Sequence, residues 1–339
     1  MSLLGFGLLT ALAGIALPGQ ELGTVAEQRT SILELLRDEH GLSAEQLAAV
    51  EAIFEESAVL SQGNREITRH PITPAECRAR RAEAGLPDRT PGFDAICGAP
   101  YMAPLYDPAR ETAQEATACI DQYEFPDVPC TYPVVWVRTA EAARICAAMD
   151  KRLCDAHEWE GACAGALTPP DYRFDLAAGR SANDAVAAMR SAHNAKHATG
   201  KSWSYGPAYQ AGVCAAASSK SPGCDGGNWK ACGSNTYPAG AFPACRSGLG
   251  VFDLNGNAAE HMNLPLAPDQ MASTGSSTLG VTEMKGSWFI FDSYRAHEDW
   301  CRWRAPYWHG TPVMSPHSHH NYHLGFRCCK TLEPAEAGR

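Results

Sequence analysis

Cysteine content is the feature that most constrains what this chain can fold into. Fourteen cysteines stand among 339 residues, the first at Cys77 and the last at Cys329. The number is even and far above what a reduced cytosolic enzyme of this length usually carries, so it predicts a disulfide framework formed in an oxidising compartment. A metal–sulfur protein is the alternative. Because no C-x-x-C pair occurs, a zinc-ribbon or thioredoxin-like site is disfavoured.

The beginning of the chain agrees with export. Residues 2–18 are apolar without any acidic or basic residue, and Pro18-Gly19 closes the run. Its length and its glycines are typical of a signal peptide, with cleavage near Ala16, and we assign residues 1–19 to it. The alternative is an uncleaved hydrophobic anchor or a buried helix. We therefore expect a periplasmic, extracellular or membrane-anchored protein, and membrane contact only through this segment if it stays uncleaved.

Composition and charge exclude several classes of function. Hydrophobic residues make up 45% of the chain, which predicts a globular core, and the formal net charge of −10 argues against a nucleic-acid partner. The sequence contains no P-loop, dinucleotide fingerprint or Ser-His-Asp motif. Hydrolase and nucleotide-dependent functions are therefore disfavoured.

Helical periodicity is clearest near the N-terminus. Residues 20–62 predict a helical hairpin, in which Gly41 ends the first helix and Ser43 with Gln46 forms a capping box for the second. Residues 63–96 are predicted as a linker. A further helix is expected after Thr139, which we assign as its cap.

Three ordered segments are similar to one family. They are CAAMDKRLCDAHEWEGAC at 146–163, GLGVFDLNGNAAEHM at 248–262, and KGSW at 285–288 followed by LGFRCC at 324–329. Together they resemble the formylglycine-generating enzymes, also called sulfatase-modifying factors, over residues 97–331. The resemblance implies an α+β fold, the formylglycine-generating-enzyme variant of the C-type lectin fold, which is loop-rich and here disulfide-stapled. Residues 332–339 are then a tail.

The same resemblance defines what the chain lacks. Family enzymes oxidise a substrate cysteine to formylglycine with two cysteines that together hold copper, and soft thiolates suit Cu(I). If Arg304 is the family arginine, the second cysteine is Cys301 and the first position is Ala296. At most one of the pair is present, so the resemblance does not extend to formylglycine generation. Cys301 is either a remaining catalytic residue or a disulfide partner.

Some disulfide pairings can be anticipated. The resemblance implies that Cys146 and Cys163 form bridges, and that Cys146 is bonded to Cys328 or Cys329. Proximity in the sequence suggests two local pairs, Cys119–Cys130 and Cys214–Cys224. The remaining connectivity is left open, because spacing alone does not determine it.

The segment DLNGNAAE, residues 253–260, is the first candidate metal site. Through the resemblance it implies calcium ligands at Asp253, Gly256, Ala258 and Glu260, the middle two through their carbonyl oxygens. Calcium prefers oxygen ligands, and a glycine permits the tight turn that aims carbonyls inward. The alternative is an Asx-type turn in which Glu260 pairs with an arginine. The resemblance also places Glu124 at a usual acidic position of the opening strand.

A histidine-rich loop is the second candidate site. Five of the 12 histidines lie within 15 residues, and imidazole binds Cu, Fe, Zn and Ni. The resemblance places this loop beside the family's active-site cleft, so a copper or iron site is one hypothesis, completed by His297 or Cys301. A polar loop without metal is the other. The five histidines are His309, His317, His319, His320 and His323.

Two functions of different classes follow. The first is a non-catalytic binding or assembly module on a calcium-supported scaffold, with a protein or glycan partner recognised by exposed aromatic residues of the loops. The second is a non-heme metal-dependent oxidoreductase that uses the histidine-rich loop. The missing cysteine favours the first. The expected recognition residues are Trp300, Trp303, Tyr307, Trp308 and Tyr322.

Overall fold

The computed structural model of the protein describes residues 22–305 and 310–333. The predicted signal peptide at 1–19, His309, Tyr307 and Trp308 lie outside the described residues. Within the described part, no helix is both long enough and apolar enough to cross a membrane.

Residues 22–57 form the predicted helical hairpin. Helix α1 spans Val25–His40 and ends at Gly41, which adopts a left-handed conformation with φ of 69°. Helix α2 spans Ala44–Glu56 and begins with the predicted capping box of Ser43 and Gln46. Because apolar residues recur on one face of each helix, the hairpin buries that face against the rest of the protein.

The segment predicted as a linker contains two short helices, α3 over Pro74–Glu83 and α4 over Pro91–Cys97. Cys77 of α3 is bonded to Cys130, and Cys97 of α4 is bonded to Cys119. The segment is therefore covalently attached to the main domain at both helices.

The main domain combines short helices with short strands. Helix α5 begins at Thr139, but its cap is Arg138, whose backbone N–H donates to Glu141; the hydroxyl of Thr139 bonds to His261 instead. The remaining helices are α5 Thr139–Ala148, α6 Ala156–Ala164, α7 Phe174–Ala177 and α8 Ala182–His197. The strands are β1 Met102–Leu105, β2 Ala118–Asp121, β3 Arg152–Leu153, β4 Ala259–Leu264, β5 Val281–Lys285, β6 Leu324–Phe326 and β7 Cys328–Thr331.

Two small sheets organise these elements. The first has the order β1-β2-β7-β3 and is antiparallel throughout, while the second has the order β5-β4-β6, with β4 parallel to β6. Strands β6 and β7 are separated by Arg327 alone, so the closing LGFRCC segment contributes to both sheets. This confirms a loop-rich α+β fold in which the three motifs of the sequence analysis meet.

Seven disulfides use all 14 cysteines. The expected bridge of Cys146 is confirmed with Cys328 as its partner. Both local pairs were wrong, because Cys119 and Cys130 bond to the residues of α3 and α4, and Cys214 bonds to Cys245. Cys224 bonds to Cys232, only eight residues away. The framework is that of a protein folded in an oxidising environment.

Candidate functional site

The position of the second family cysteine lies in the interior. Cys301 is fully buried and forms a disulfide with Cys163 of α6. Its backbone N–H donates to the carbonyl of Ser202 at 2.8 Å. Cys301 therefore has no free thiol. Of the two expectations for Cys301, the structure supports a disulfide partner and not a catalytic cysteine. Ala296, at the first position of the family pair, is exposed.

Next to this disulfide lies a cluster of buried charges. Arg304 Nε donates to Glu160 Oε1 at 2.9 Å, and Lys285 Nζ donates to the same oxygen at 3.1 Å. Burial alone would raise the pKa of Glu160, but Arg304 and Lys285 hold that pKa well below its usual range. The carboxylate is therefore ionised, and its role is to compensate two cations taken out of water.

All three residues of the EWE motif have a structural partner. Glu158 accepts from Arg152 at 2.6 and 2.7 Å, and Glu160 accepts from Arg304. Between them, the indole N–H of Trp159 donates to Glu260 at 2.7 Å. The side chains of the motif that carries the family resemblance are therefore all engaged in buried contacts within the domain.

The predicted calcium loop has the expected tight geometry. Asp253 and Asn257 both adopt positive φ, and Gly256 has a φ of 97°. A Cβ at Gly256 would lie 2.8 Å from the carbonyl oxygen of Ala215, so only glycine fits there. The loop is entirely buried, with Ala258 and Glu260 exposed by only 1% each.

The carboxylates of this loop are differently engaged. Glu260 accepts two hydrogen bonds from Arg327, at 2.6 and 2.7 Å, in addition to that from Trp159. Asp253 accepts from the backbone N–H of Gly240 through Oδ2, whereas its buried Oδ1 has no hydrogen-bond partner in the described structure. The arginine pairing that the sequence left as an alternative is thus present.

Glu124 fixes the loop at 253–260 through two hydrogen bonds. Its two carboxylate oxygens accept from the backbone N–H of Ala258 at 2.7 Å and from the side-chain amide of Asn257 at 2.6 Å. Burial, with Asp253 and Glu260 nearby, raises the pKa of Glu124 well above its usual value, and burial raises the pKa of Asp253 to about 6. The sequence marked Glu124 only as an acidic position and missed that it organises the site.

These donors fit a calcium ion in part. Asp253 Oδ1 is buried without a hydrogen-bond partner in the described structure, and calcium prefers carboxylate oxygens of this kind. Glu260 Oε1 accepts one hydrogen bond and keeps a lone pair, so the pairing with Arg327 does not exclude it as a ligand. Asp253 and Glu260 would hold the ion together with the carbonyl oxygens of Gly256 and Ala258.

The histidine-rich loop does not converge. His317 and His319 are exposed, while His320 lies 3.4 Å from Arg138 and His323 is buried. Within the described ranges, no three of these histidines place ligand nitrogens near enough to share a metal ion. Among the described histidines, closeness in the sequence therefore does not bring three metal ligands together.

Aromatic rings line the neighbouring region. His323 stacks on Trp288 with ring centroids 4.5 Å apart, and His297 stacks on Trp303 at 4.8 Å. Trp300 and Tyr322, expected as exposed recognition residues, are only 4% and 6% exposed, because both complete the interior. The large exposed hydrophobic residue of this region is Tyr294, at 56%.

A group that the sequence analysis missed lies elsewhere. Asp171 Oδ1 is 2.9 Å from His193 Nδ1, and Asp171 Oδ2 is 2.9 Å from His197 Nε2. The two histidines are four residues apart on α8, which was a visible signal for a shared helix face. Asp171 is more than 20 residues upstream in an irregular segment, where spacing carried no information.

Fold and site together define a disulfide-rich α+β domain in which most charged side chains of the motifs are buried and the cysteines are all bonded. The family model described as the sulfatase-modifying factor enzyme 1-like domain, FGE-sulfatase, matches residues 109–332. The chain belongs to this family, as the motifs implied. No curated protein matches the chain.

Proposed function

We infer that the protein is an exported, non-catalytic binding or assembly module built on the family scaffold. The observation that carries this inference is the bond between Cys163 and Cys301, together with Ala296 at the other position. A copper site of the family type needs two thiolates, and neither position supplies one. The seven disulfides support passage through an oxidising compartment.

A test of the missing activity uses the oxidised protein, a cysteine-containing peptide, Cu(I) and oxygen. We expect no formylglycine in the peptide by mass spectrometry, while a family enzyme with both cysteines serves as the positive control. Turnover by the protein that disappears in a Cys163→Ser/Cys301→Ser variant would overturn the inference.

The surface that suits a partner is the segment 293–298, of which every residue except His297 is exposed. Tyr294 projects from it, and the guanidinium of Arg295 lies 4.0 Å from the ring of Tyr209. An aromatic anchor surrounded by charged groups is typical of contacts with proteins and glycans. This segment includes position 296, where the family places its chemistry, so binding would replace catalysis at the same face.

A photo-crosslinking residue at Tyr294 tests this surface in the producing cells. We expect it to capture a partner, and the same residue at Met314, which is 51% exposed, provides the matched control. Equal labelling from both positions, or none from Tyr294, would contradict the proposed surface.

Calcium is proposed as the ion that completes the loop at 253–260. When bound, it would supply positive charge to a region that holds three acids, Glu124, Asp253 and Glu260, around Arg327. Its effect would be to rigidify the turn that leads into β4. This role is structural and requires no open coordination position.

The metal-dependent oxidoreductase remains a second candidate because of one observation. His323 Nδ1 is buried without a hydrogen-bond partner in the described structure, and its surroundings, His261, His297 and His319, are rich in imidazole. Copper or iron analysis of untagged protein and of a His319→Ala/His320→Ala variant tests it. Equal metal content in both proteins would remove the loop from consideration.

A further inference from the structure

The geometry of the segment around α8 brings three ligand atoms together. One oxygen or nitrogen each from Asp171, His193 and His197 lies within 4.8 Å of the others. His193 is fully buried, whereas Asp171 and His197 are 20% and 21% exposed, so the group opens to solvent on one side. Two imidazoles and one carboxylate are a common donor set for first-row divalent metals.

Hydrogen bonding fixes the orientation of the buried imidazole. His193 Nε2 lies 2.6 Å from the carbonyl oxygen of Arg302. A carbonyl only accepts, so Nε2 carries the hydrogen, and in the neutral ring Nδ1 is left with a lone pair. That lone pair faces Asp171 Oδ1 at 2.9 Å. Two electron-rich atoms at this distance require a cation between them, either a proton or a metal ion.

The position of His197 adds a second imidazole to this pair. His197 Nε2 lies 2.9 Å from the second oxygen of the same carboxylate, so two imidazoles and this carboxylate face one cation position. A second carboxylate lies close, with Glu160 Oε2 at 3.6 Å from His193 Nε2. In addition, a ligating histidine usually donates its other N–H to a backbone carbonyl, as His193 does to Arg302. We propose that Asp171, His193 and His197 bind a divalent transition-metal ion of the Zn²⁺ class.

The site also contains a competitor for the carboxylate. Lys196 Nζ lies 2.9 Å from Asp171 Oδ2, and Arg304 Nη2 lies 3.3 Å from Oδ1. Arg304 is buried and serves as an anchor for the carboxylate. The side chain of Lys196 is 61% exposed, so it can leave for solvent when a metal binds. Lys196 therefore lowers the metal affinity without closing the site.

Binding of a metal ion requires the ligand atoms to adjust their spacing. Ligand atoms around a tetrahedral zinc are about 3.3 Å apart, given bonds of about 2.0–2.1 Å. The two histidine–carboxylate distances of 2.9 Å would open by less than half an ångström, and the three ligand atoms already lie within 4.8 Å of one another. A surface cavity of about 330 Å³ adjoins Asp171 and His193 and leaves space for a water molecule in the fourth position. The site is separate from both the calcium loop and the histidine-rich loop, and it does not depend on the proposed function.

The experiment is a titration of the full, oxidised and chelator-stripped protein with Zn²⁺ by calorimetry, and with Co²⁺ by visible absorption. We expect one equivalent to bind, with tetrahedral Co²⁺ bands. His197→Ala should weaken binding by at least about tenfold. The matched control His317→Ala, an exposed histidine of the other loop, should bind as the unaltered protein does.

A variant that binds Zn²⁺ more tightly than the unaltered protein would distinguish a metal site from a network of ion pairs. Lys196→Ala should strengthen Zn²⁺ binding about threefold or more, because it frees Asp171 Oδ2. Melting of the metal-free variants shows that each one folds. No saturable binding of Zn²⁺ or Co²⁺ by the unaltered protein would overturn the proposal. Binding that survives in His197→Ala but is lost in His319→Ala/His320→Ala would overturn it as well.

Discussion

The family resemblance implies metal ligands in two regions, and this chain keeps the expected donor atoms in only one of them. At 253–260, the oxygen donors are all present and are held by Glu124, Gly240 and Arg327. At 296–301, one donor is replaced by alanine and the other is consumed in a bond to Cys163. The difference teaches that a donor can also support the fold, because Glu260 compensates the buried charge of Arg327. A thiol that serves only catalysis can be converted into a disulfide without loss of the fold.

The largest effect is expected in the calcium loop. Glu260→Gln removes the carboxylate that accepts two hydrogen bonds from buried Arg327, and breaking a buried pair costs about 3–5 kcal/mol. Glu298→Gln is the matched control, since Glu298 is 57% exposed and pairs with Lys201 at the surface. Denaturant unfolding measures both. A loss of less than about 1 kcal/mol for Glu260→Gln, equal to that of a surface pair, would show that the loop is not supported in this way.

The second prediction concerns the disulfide that replaces the thiol. Cys163 and Cys301 are 138 residues apart, but the neighbouring bridge Cys154–Cys329 already joins the same parts of the chain. The loop closed in the unfolded state is therefore much shorter, and we expect Cys163→Ala/Cys301→Ala to lose about 2–4 kcal/mol. The small bridge Cys224–Cys232, removed in the same way, should cost less. A larger loss for the small bridge would contradict this reasoning.

Calcium should stabilise the protein through the loop at 253–260 and not through the region at 296–301. A ligand that binds the folded state alone stabilises it by about 2.7 kcal/mol at a concentration of 100 Kd. We expect calcium to raise the melting temperature of the chelator-treated protein, and Asp253→Asn to abolish most of the shift. The Cys163→Ala/Cys301→Ala variant should keep its calcium response. Melting that is identical with calcium and with chelator would exclude the ion.

The smallest expected effect is a pH dependence of the free energy of unfolding in the absence of calcium. Burial raises the pKa of Asp253 to about 6, against about 4 in an unfolded chain. Since the folded state then binds more protons, the stabilisation is present below about pH 4 and is lost as pH rises through 6. Relative to the unaltered protein, Asp253→Asn should therefore gain on the order of 2 kcal/mol between pH 4 and pH 7. Unfolding in chelator at both pH values measures it, and a constant difference would contradict the assignment.

The sequence predicted features that depend on neighbouring residues or on recognisable motifs. The caps of the hairpin at Gly41 and Ser43 are local, and the family pattern narrowed the partner of Cys146 to Cys328 or Cys329, of which the structure has Cys328. Thr139 failed as a cap because His261, from a distant strand, bonds to its hydroxyl. The local disulfides failed because strand register and two short helices bring Cys97 to Cys119 and Cys77 to Cys130.

For candidate metal ligands too, the sequence was informative only about residues that are close along the chain. The described histidines at 317–323 are close in sequence but do not bring three ligand nitrogens together, because an irregular loop does not align its side chains. His193 and His197 converge because four residues make one turn of α8, and the fold adds Asp171. The four-residue spacing of His193 and His197 is visible in the sequence but was not used, and their partner from a remote segment required the structure.

Peptide mapping under non-reducing conditions tests whether this protein has abandoned thiol chemistry. The native protein is alkylated before digestion, and peptides are identified by mass. The structure predicts a peptide in which Cys163 and Cys301 are linked, with no alkylated Cys301. Stoichiometric alkylation of Cys301 would show a free thiol at the family position and would contradict a non-catalytic scaffold.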